Sequence, residues 1–178
     1  MIYEPEEDSF LLLKHIKNYA KEKVLDMGTG SGILAIEACK YAEQVLATDI
    51  DKNSINYVKK KYKEIKNLKV IYSDLFGKVK GKFDLIIFNP PYLPHDEEEP
   101  LDSRRATTGG KEGYEIIEKF FIKAKKYLNK NGKILIVFSS LTNKDKVDFI
   151  IRKNKFKFKE LEEEKHFFEK LFVYVVYL

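Results

Sequence analysis

The sequence holds one cysteine, Cys39, no tryptophan, two methionines and three histidines in 178 residues. A lone cysteine closes no internal disulfide. With His15, His95 and His166 scattered along the chain it has no zinc-ligand spacing either. Arginine stands only at 104, 105 and 152, so there is no concentrated arginine patch of the kind that grips nucleic acid. No apolar run approaches the roughly 20 residues of a bilayer-spanning helix, which excludes a spanning protein. The opening MIYEPEEDSF is acidic and leads into no signal-peptide core. These absences lead to the expectation of a soluble, cytoplasmic domain of enzyme size.

A hydrophobic fraction of 44% and an aromatic fraction of 13% exclude disorder and collagen-like sequence. The length fits one domain, 1–178, able to bury roughly 70% of its unfolded surface. Lysines and arginines number 33 against 28 acids, a net charge of +5. The excess is nearly all lysine and is interleaved with acids, as in YVKKKYKEIKNLK (57–69), which reads as a solvated surface. Abundant charge with a single glutamine, Gln44, is a bias that a thermophilic source would explain.

Apolar periodicity alternates between strand and helix. Strands are expected at 23–28, 43–50, 68–73, 82–89, 129–140, 156–163 and 170–178. Helices are expected at about 6–19, 33–42, 52–65, 114–128 and 144–154, with Asp51 as an N-cap. The strand at 82–89 is apolar on both faces, as a central parallel strand should be. The last two strands have no room for a helix between them and read as an antiparallel hairpin. The alternation predicts an α/β fold: a seven-stranded, mostly parallel sheet with helices on both faces and a C-terminal antiparallel strand. Ligands bind such sheets at the carboxyl ends of the strands.

The candidate chemistry falls at those ends. The first strand runs into Asp26-Met27-Gly28-Thr29-Gly30-Ser31-Gly32 and then a helix. Glycines there let the chain turn sharply and let a ligand approach the backbone. The spacing is G-x-G-x-G, not the G-x-G-x-x-G of dinucleotide enzymes, which argues against an NAD-dependent dehydrogenase. Asp49 ends the second strand, where a carboxylate can hold both ribose hydroxyls. Asp74-Leu75 follows the third; the carboxylate can accept from an adenine amino group while the leucine covers the ring. Asn89-Pro90-Pro91-Tyr92-Leu93 follows the fourth and is the most specific signal. Asparagine offers an acceptor and two donors. The prolines donate no N–H and hold the chain extended, leaving the Pro90 carbonyl free. Tyr92 supplies a flat face. Together these can hold a planar –NH2 group between two acceptors.

These motifs resemble the class I S-adenosylmethionine-dependent methyltransferases that modify planar nitrogens. The opening Tyr3-Glu4-Pro5-Glu6-Glu7-Asp8-Ser9-Phe10-Leu11-Leu12-Leu13 narrows the resemblance to the archaeal and eukaryotic branch of the HemK-type release-factor glutamine methyltransferases. Thr108-Gly109-Gly110-Lys111-Glu112-Gly113 resembles that branch's glycine-rich segment, and the resemblance to the branch leads to the expectation of a chain without the N-terminal helical domain of the bacterial relatives. The resemblance implies a Rossmann-like fold and an S-adenosylmethionine cofactor contacting Ser9, Asp26, Gly28, Gly30, Asp49, Asp74, Leu75 and Asn89. Ser9 also reads as a helix N-cap. The implied reaction is methylation of a release-factor glutamine, with Asn89, Pro90 and Tyr92 as catalytic residues and Pro91 and Leu93 beside them on the substrate. No histidine or carboxylate is expected at the NPPY corner as a base. The long stretch 93–113, with acidic His95-Asp96-Glu97-Glu98-Glu99 and basic Arg104-Arg105, is expected to form the substrate mouth.

Two other readings compete. An adenine or guanine amino methyltransferase acting on RNA or DNA would use the same corner on a flipped base. A non-catalytic scaffold of the same fold would leave Asn89 and Asp49 without a use. The third strand, Leu68-Lys69-Val70-Ile71-Tyr72, is expected at a sheet edge and carries consecutive apolar residues. The resemblance implies a small zinc-binding activator protein adding to that edge.

Overall fold

The computed structural model describes residues 5–95, 97 and 107–178. Of the residues singled out above, Tyr3, Glu4, Asp96, Glu98, Glu99, Arg104 and Arg105 lie outside the described residues. The chain runs α1 (Glu7–Tyr19), β1 (Lys23–Met27), α2 (Ile33–Cys39), β2 (Gln44–Asp49), α3 (Lys52–Lys61), β3 (Leu68–Tyr72) and β4 (Phe83–Phe88). After the short β5 (Leu93–Pro94) and β6 (Thr108–Gly110) come α4 (Glu115–Ala124), β7 (Leu128–Ser139), α5 (Lys144–Lys153), β8 (Lys157–Lys165) and β9 (Lys170–Tyr177).

Seven strands form one sheet in the order β3-β2-β1-β4-β7-β9-β8. Strand β9 runs antiparallel to both β7 and β8, and the pairs from β3 across to β7 are parallel. This is the expected sheet, with β3 and β8 at its edges. Strand order reverses between β1 and β4, so the crevice of the fold opens at their carboxyl ends.

Alternation along β4 serves two cores. Leu85 and Ile87 pack among α1, α2 and α3 residues such as Leu12, Ala35 and Val58. Ile86 and Phe88 pack on the opposite face with Ile117, Phe120 and Ile150 of α4 and α5. Phe120 stacks on Phe88 at 4.3 Å and on Phe76 at 5.2 Å, and meets Phe121 edge-on at 5.1 Å. Filled rings at these offsets give the β4 end a rigid backing.

Several elements depart from their expected bounds, α3 among them, which ends at Lys61. Helix α2 stops at Cys39, short of 42, because the Asn67 amide donates to the carbonyls of Cys39 and Ala42, both at 2.9 Å. Helix α4 stops at Ala124 and tightens into a 3-10 turn, Lys125–Tyr127, before β7. The stretch after Tyr92 is not without structure, since Leu93–Pro94 pairs in parallel with Thr108–Gly110. Helix α1 is fastened to the β8 edge: Lys14 Nζ lies 3.1 Å from Glu162 and 3.3 Å from Glu164, and His15 Nε2 lies 2.8 Å from Glu162.

Candidate active site

Strand β1 hands over to α2 through three left-handed glycines, Gly28, Gly30 and Gly32, with φ of 74°, 50° and 86°. A side chain at Gly32 would meet Val58 at 3.1 Å and Tyr62 at 3.2 Å, so glycine also lets α2 start close against α3. The Gly28 and Thr29 N–H groups donate to Thr48 O at 2.8 and 2.9 Å, which pins the turn to β2. At the end of β2 the Asp49 carboxylate accepts from Gly30 N and Asp51 N, both at 2.8 Å. Asp51 then caps α3, as expected, by accepting from Asn53 N and Ser54 N.

Asp26 sits under this turn with no exposed surface. Its Oδ2 accepts the Thr29 hydroxyl at 2.6 Å, while Oδ1 is buried without a hydrogen-bond partner among the described residues. Burial pushes the carboxyl up to about 7; the Thr29 hydroxyl opposes that rise and the Asp49 charge adds to it. Burial likewise raises Asp49, against the N–H groups of Asp51 and Gly30. A buried and a half-buried carboxylate around one turn, the buried one with an oxygen that has no partner among the described residues, suit a ligand that brings a cation and hydroxyl groups.

The turn after β3 is tied to the same place, since Ser73 N donates to Asp49 O at 2.9 Å. Ser73 Oγ donates to Leu75 O and accepts from Lys78 N, holding Leu75 at a positive φ of 42°. Asp74 is left exposed beside a half-buried Leu75, at the rim of the crevice.

The corner after β4 stands across the crevice, and a side chain at Gly28 would meet Asn89 O at 3.7 Å. Asn89 Nδ2 donates to Ser9 Oγ at 3.2 Å. Pro90 is buried, while Pro91, Tyr92 and Leu93 are half-buried. Tyr92 Oη donates to Asp8 Oδ2 at 3.1 Å, and Tyr92 O accepts the Thr142 hydroxyl at 2.8 Å. A side chain at Gly109 would come 2.6 Å from Pro91 O, so the glycine-rich segment can lie directly against the corner.

Every singled-out residue from Asp26 to Leu93 thus stands at the carboxyl ends of β1 to β4, and α1 brings Ser9 to join them. Two expectations need correction. Ser9 is not an N-cap: α1 is capped by Glu6 without a side-chain bond, and Ser9 lies in the first turn with its hydroxyl turned to Asn89. A carboxylate does stand at the NPPY corner, because α1 buries Asp8 against Tyr92. Asp8 lies one residue from Ser9 in the quoted opening, so the signal was present; Thr142 carried none.

An unliganded fold with Asp26 raised to about 7 binds its proton more tightly than the unfolded chain, whose aspartates titrate near about 3.9. Its stability therefore falls as pH rises from that value through about 7. A ligand amine reaching Oδ1, directly or through water, favours the ionised form. S-adenosylhomocysteine is expected to bind more tightly as pH rises toward about 7, expelling a proton, with Asp26→Asn flattening both effects. Calorimetry in buffers of different ionisation enthalpy checks this; equal proton release by the variant would contradict it.

Comparison with known proteins agrees with this geometry. A Methanocaldococcus jannaschii protein, provisionally named protein N5-glutamine methyltransferase, is 42% identical over 146 residues, 79% of this chain and 74% of that protein. The release factor glutamine methyltransferase of Borreliella burgdorferi is 34% identical over 151 residues, 79% of this chain and 53% of its own length. Among solved structures, the E. cuniculi Mtq2–Trm112 complex, described as methylating the translation termination factor eRF1, shares the fold. It superposes with a TM-score of 0.78 at 22% identity, covering 98% of this chain and 97% of that one. Residues 4–169 match the methyltransferase small domain, and the chain belongs to that family.

Proposed function

We propose that this methyltransferase transfers the methyl group of S-adenosylmethionine to the side-chain nitrogen of a glutamine in a class I peptide chain release factor. The observation that carries the reading is the polarity of the NPPY corner. Asn89 gives its NH2 end to Ser9, so Oδ1 is the end left for a substrate, and Pro90 supplies a second acceptor with no competing N–H. Two acceptors suit the –NH2 of an amide. Relatives named for glutamine methylation support the choice of amide.

Asp49 is placed to hold the ribose hydroxyls, Asp74 and Leu75 the adenine, and Asp26, with Ser9 and the Gly28–Gly30 turn, the methionine end. Bound S-adenosylmethionine supplies a methyl group on a positively charged sulfur, already activated for attack. The chain's task is position and polarity. An amide nitrogen is a poor nucleophile because its lone pair is shared with its carbonyl. Asn89 Oδ1 and Pro90 O, each accepting one N–H, return density to that nitrogen and aim it at the methyl carbon. Tyr92, steadied by Asp8 and Thr142, packs against the amide plane. The acceptor nitrogen would give up one proton, which leaves to water. A translation-factor substrate sets this reaction in the cytoplasm.

We also assign the β3 edge to a small activator protein. Among the described residues β3 pairs only with β2, and it sets half-buried Leu68, Ile71 and Tyr72 around one exposed lysine, Lys69. The neighbouring fold is known in a two-protein complex. Affinity purification from the source organism tests this: a small protein co-purifying with wild type and lost on Ile71→Lys is expected. A native chain that purifies alone and is fully active contradicts it.

Labelled S-adenosylmethionine incubated with cell extract tests the reaction. The label is expected to stay with protease-sensitive material, on a release-factor glutamine by mass spectrometry, and to survive nuclease. Asn89→Ala is expected to lose about 10²–10³ in rate while binding cofactor within a few-fold. Label carried by RNA or DNA, or an Asn89→Ala variant of unchanged turnover, overturns the reading.

A further inference from the structure

The turn between β8 and β9 has no part in the site described above. Its Phe167 and Phe168 are 94% and 86% exposed, with their rings edge-on 4.8 Å apart. Paired aromatic rings left in water mark a contact surface rather than a scattered surface residue. The turn that carries them is braced. His166 N donates to Glu169 O at 2.8 Å, Lys170 N donates to Ser140 Oγ at 3.0 Å, and β8 is fastened to α1 through Glu162.

The two rings border a cleft of about 260 Å³ whose other walls are Glu6, Glu7, Asp8, Tyr92, His166 and Leu171, with Glu169 at the base of the turn. Tyr92 is also the last residue of the NPPY corner, so the cleft opens directly beside the place where the acceptor amide is held. The cleft is acidic. Burial raises the Glu6 carboxyl, and the charges of Asp8, Glu7 and Glu169 raise it further. Glu169 Oε2 is buried with no hydrogen-bond partner among the described residues. Carboxylates this close to the acceptor corner repel a phosphate backbone and attract lysine and arginine. Apolar rings beside them suit a polypeptide.

Resting on the glutamine reading above, we propose that this cleft docks the loop of the substrate protein that carries the acceptor glutamine. Phe167 and Phe168 cover an apolar side chain of that loop. Glu6, Glu7 and Glu169 pair with a lysine or arginine flanking the glutamine.

The test uses the full chain together with any small protein that co-purifies with it, a release factor from the same organism and two glutamine peptides. One peptide flanks the glutamine with lysine, arginine and leucine; the other replaces the basic residues with glutamate. Wild type is expected to prefer the basic peptide. Phe167→Ser with Phe168→Ser is expected to raise KM for the release factor about tenfold while kcat and S-adenosylhomocysteine affinity stay within about twofold. Both rings are exposed, so thermal melts should be unchanged. Glu6→Lys with Glu169→Lys is expected to reverse the peptide preference. A wild-type enzyme that binds cofactor yet methylates neither peptide nor release factor sinks the glutamine reading, and this proposal with it. A release factor methylated with unchanged KM by the double serine variant overturns the docking surface alone. So does a wild-type dimer, seen by sedimentation, that the serine variant abolishes without moving KM.

Discussion

A side-chain amide is a donor at one end and an acceptor at the other, and the site depends on which end of Asn89 meets the substrate. Ser9 decides it. With Nδ2 donating to Ser9 Oγ, the corner presents acceptors only, from Asn89 and from Pro90. Without α1 that orientation has no anchor, and the amide could turn its donor outward. The same helix supplies Asp8 to hold the Tyr92 hydroxyl. Helix α1 is therefore as much a part of the site as the β4 end. Its ties to Glu162 and Glu164 fix its position against the far edge of the sheet.

Across the crevice the constraint is electrostatic. The glycine turn gathers Asp26 and Asp49 at the ends of neighbouring strands, the first buried and the second half-buried. A buried carboxylate oxygen without a partner is costly, and Asp26 Oδ1 has none among the described residues. A cofactor with a cationic amine and ribose hydroxyls relieves it. On the proposed reading, the ends of β1 and β2 hold the cofactor and the β4 end with α1 holds the acceptor. The rigid aromatic stack of Phe88 and Phe120 lies behind the second.

Much of this was legible in the sequence because it is local. The alternation of strand and helix and the C-terminal hairpin followed from periodicity and short connections, and the β3 edge from the family resemblance. Asp26, Asp49, Asp74 and Asn89 each end a strand, so parallel packing alone brings them to one crevice. The parts that were not legible depend on contacts between distant segments. Asp8 reaches Tyr92 across 84 residues and Thr142 reaches it across 50, and no spacing rule encodes either. Ser9 looked like a cap because its residue type suits one, yet tertiary packing gave its hydroxyl a different partner. Asn67 shortened α2 in the same way, from 28 residues away.

The account's central claim is geometric: an acceptor amide lies between Asn89 Oδ1 and Pro90 O, with its nitrogen aimed at the cofactor sulfur. A crystal structure of the chain with S-adenosylhomocysteine and a glutamine peptide measures this directly. The result expected is the glutamine –NH2 within hydrogen-bond distance of both oxygens, in line with sulfur, with Asn89 Nδ2 still on Ser9. An Asn89 amide turned to donate to the glutamine, or a glutamine seated away from the corner, would contradict the account.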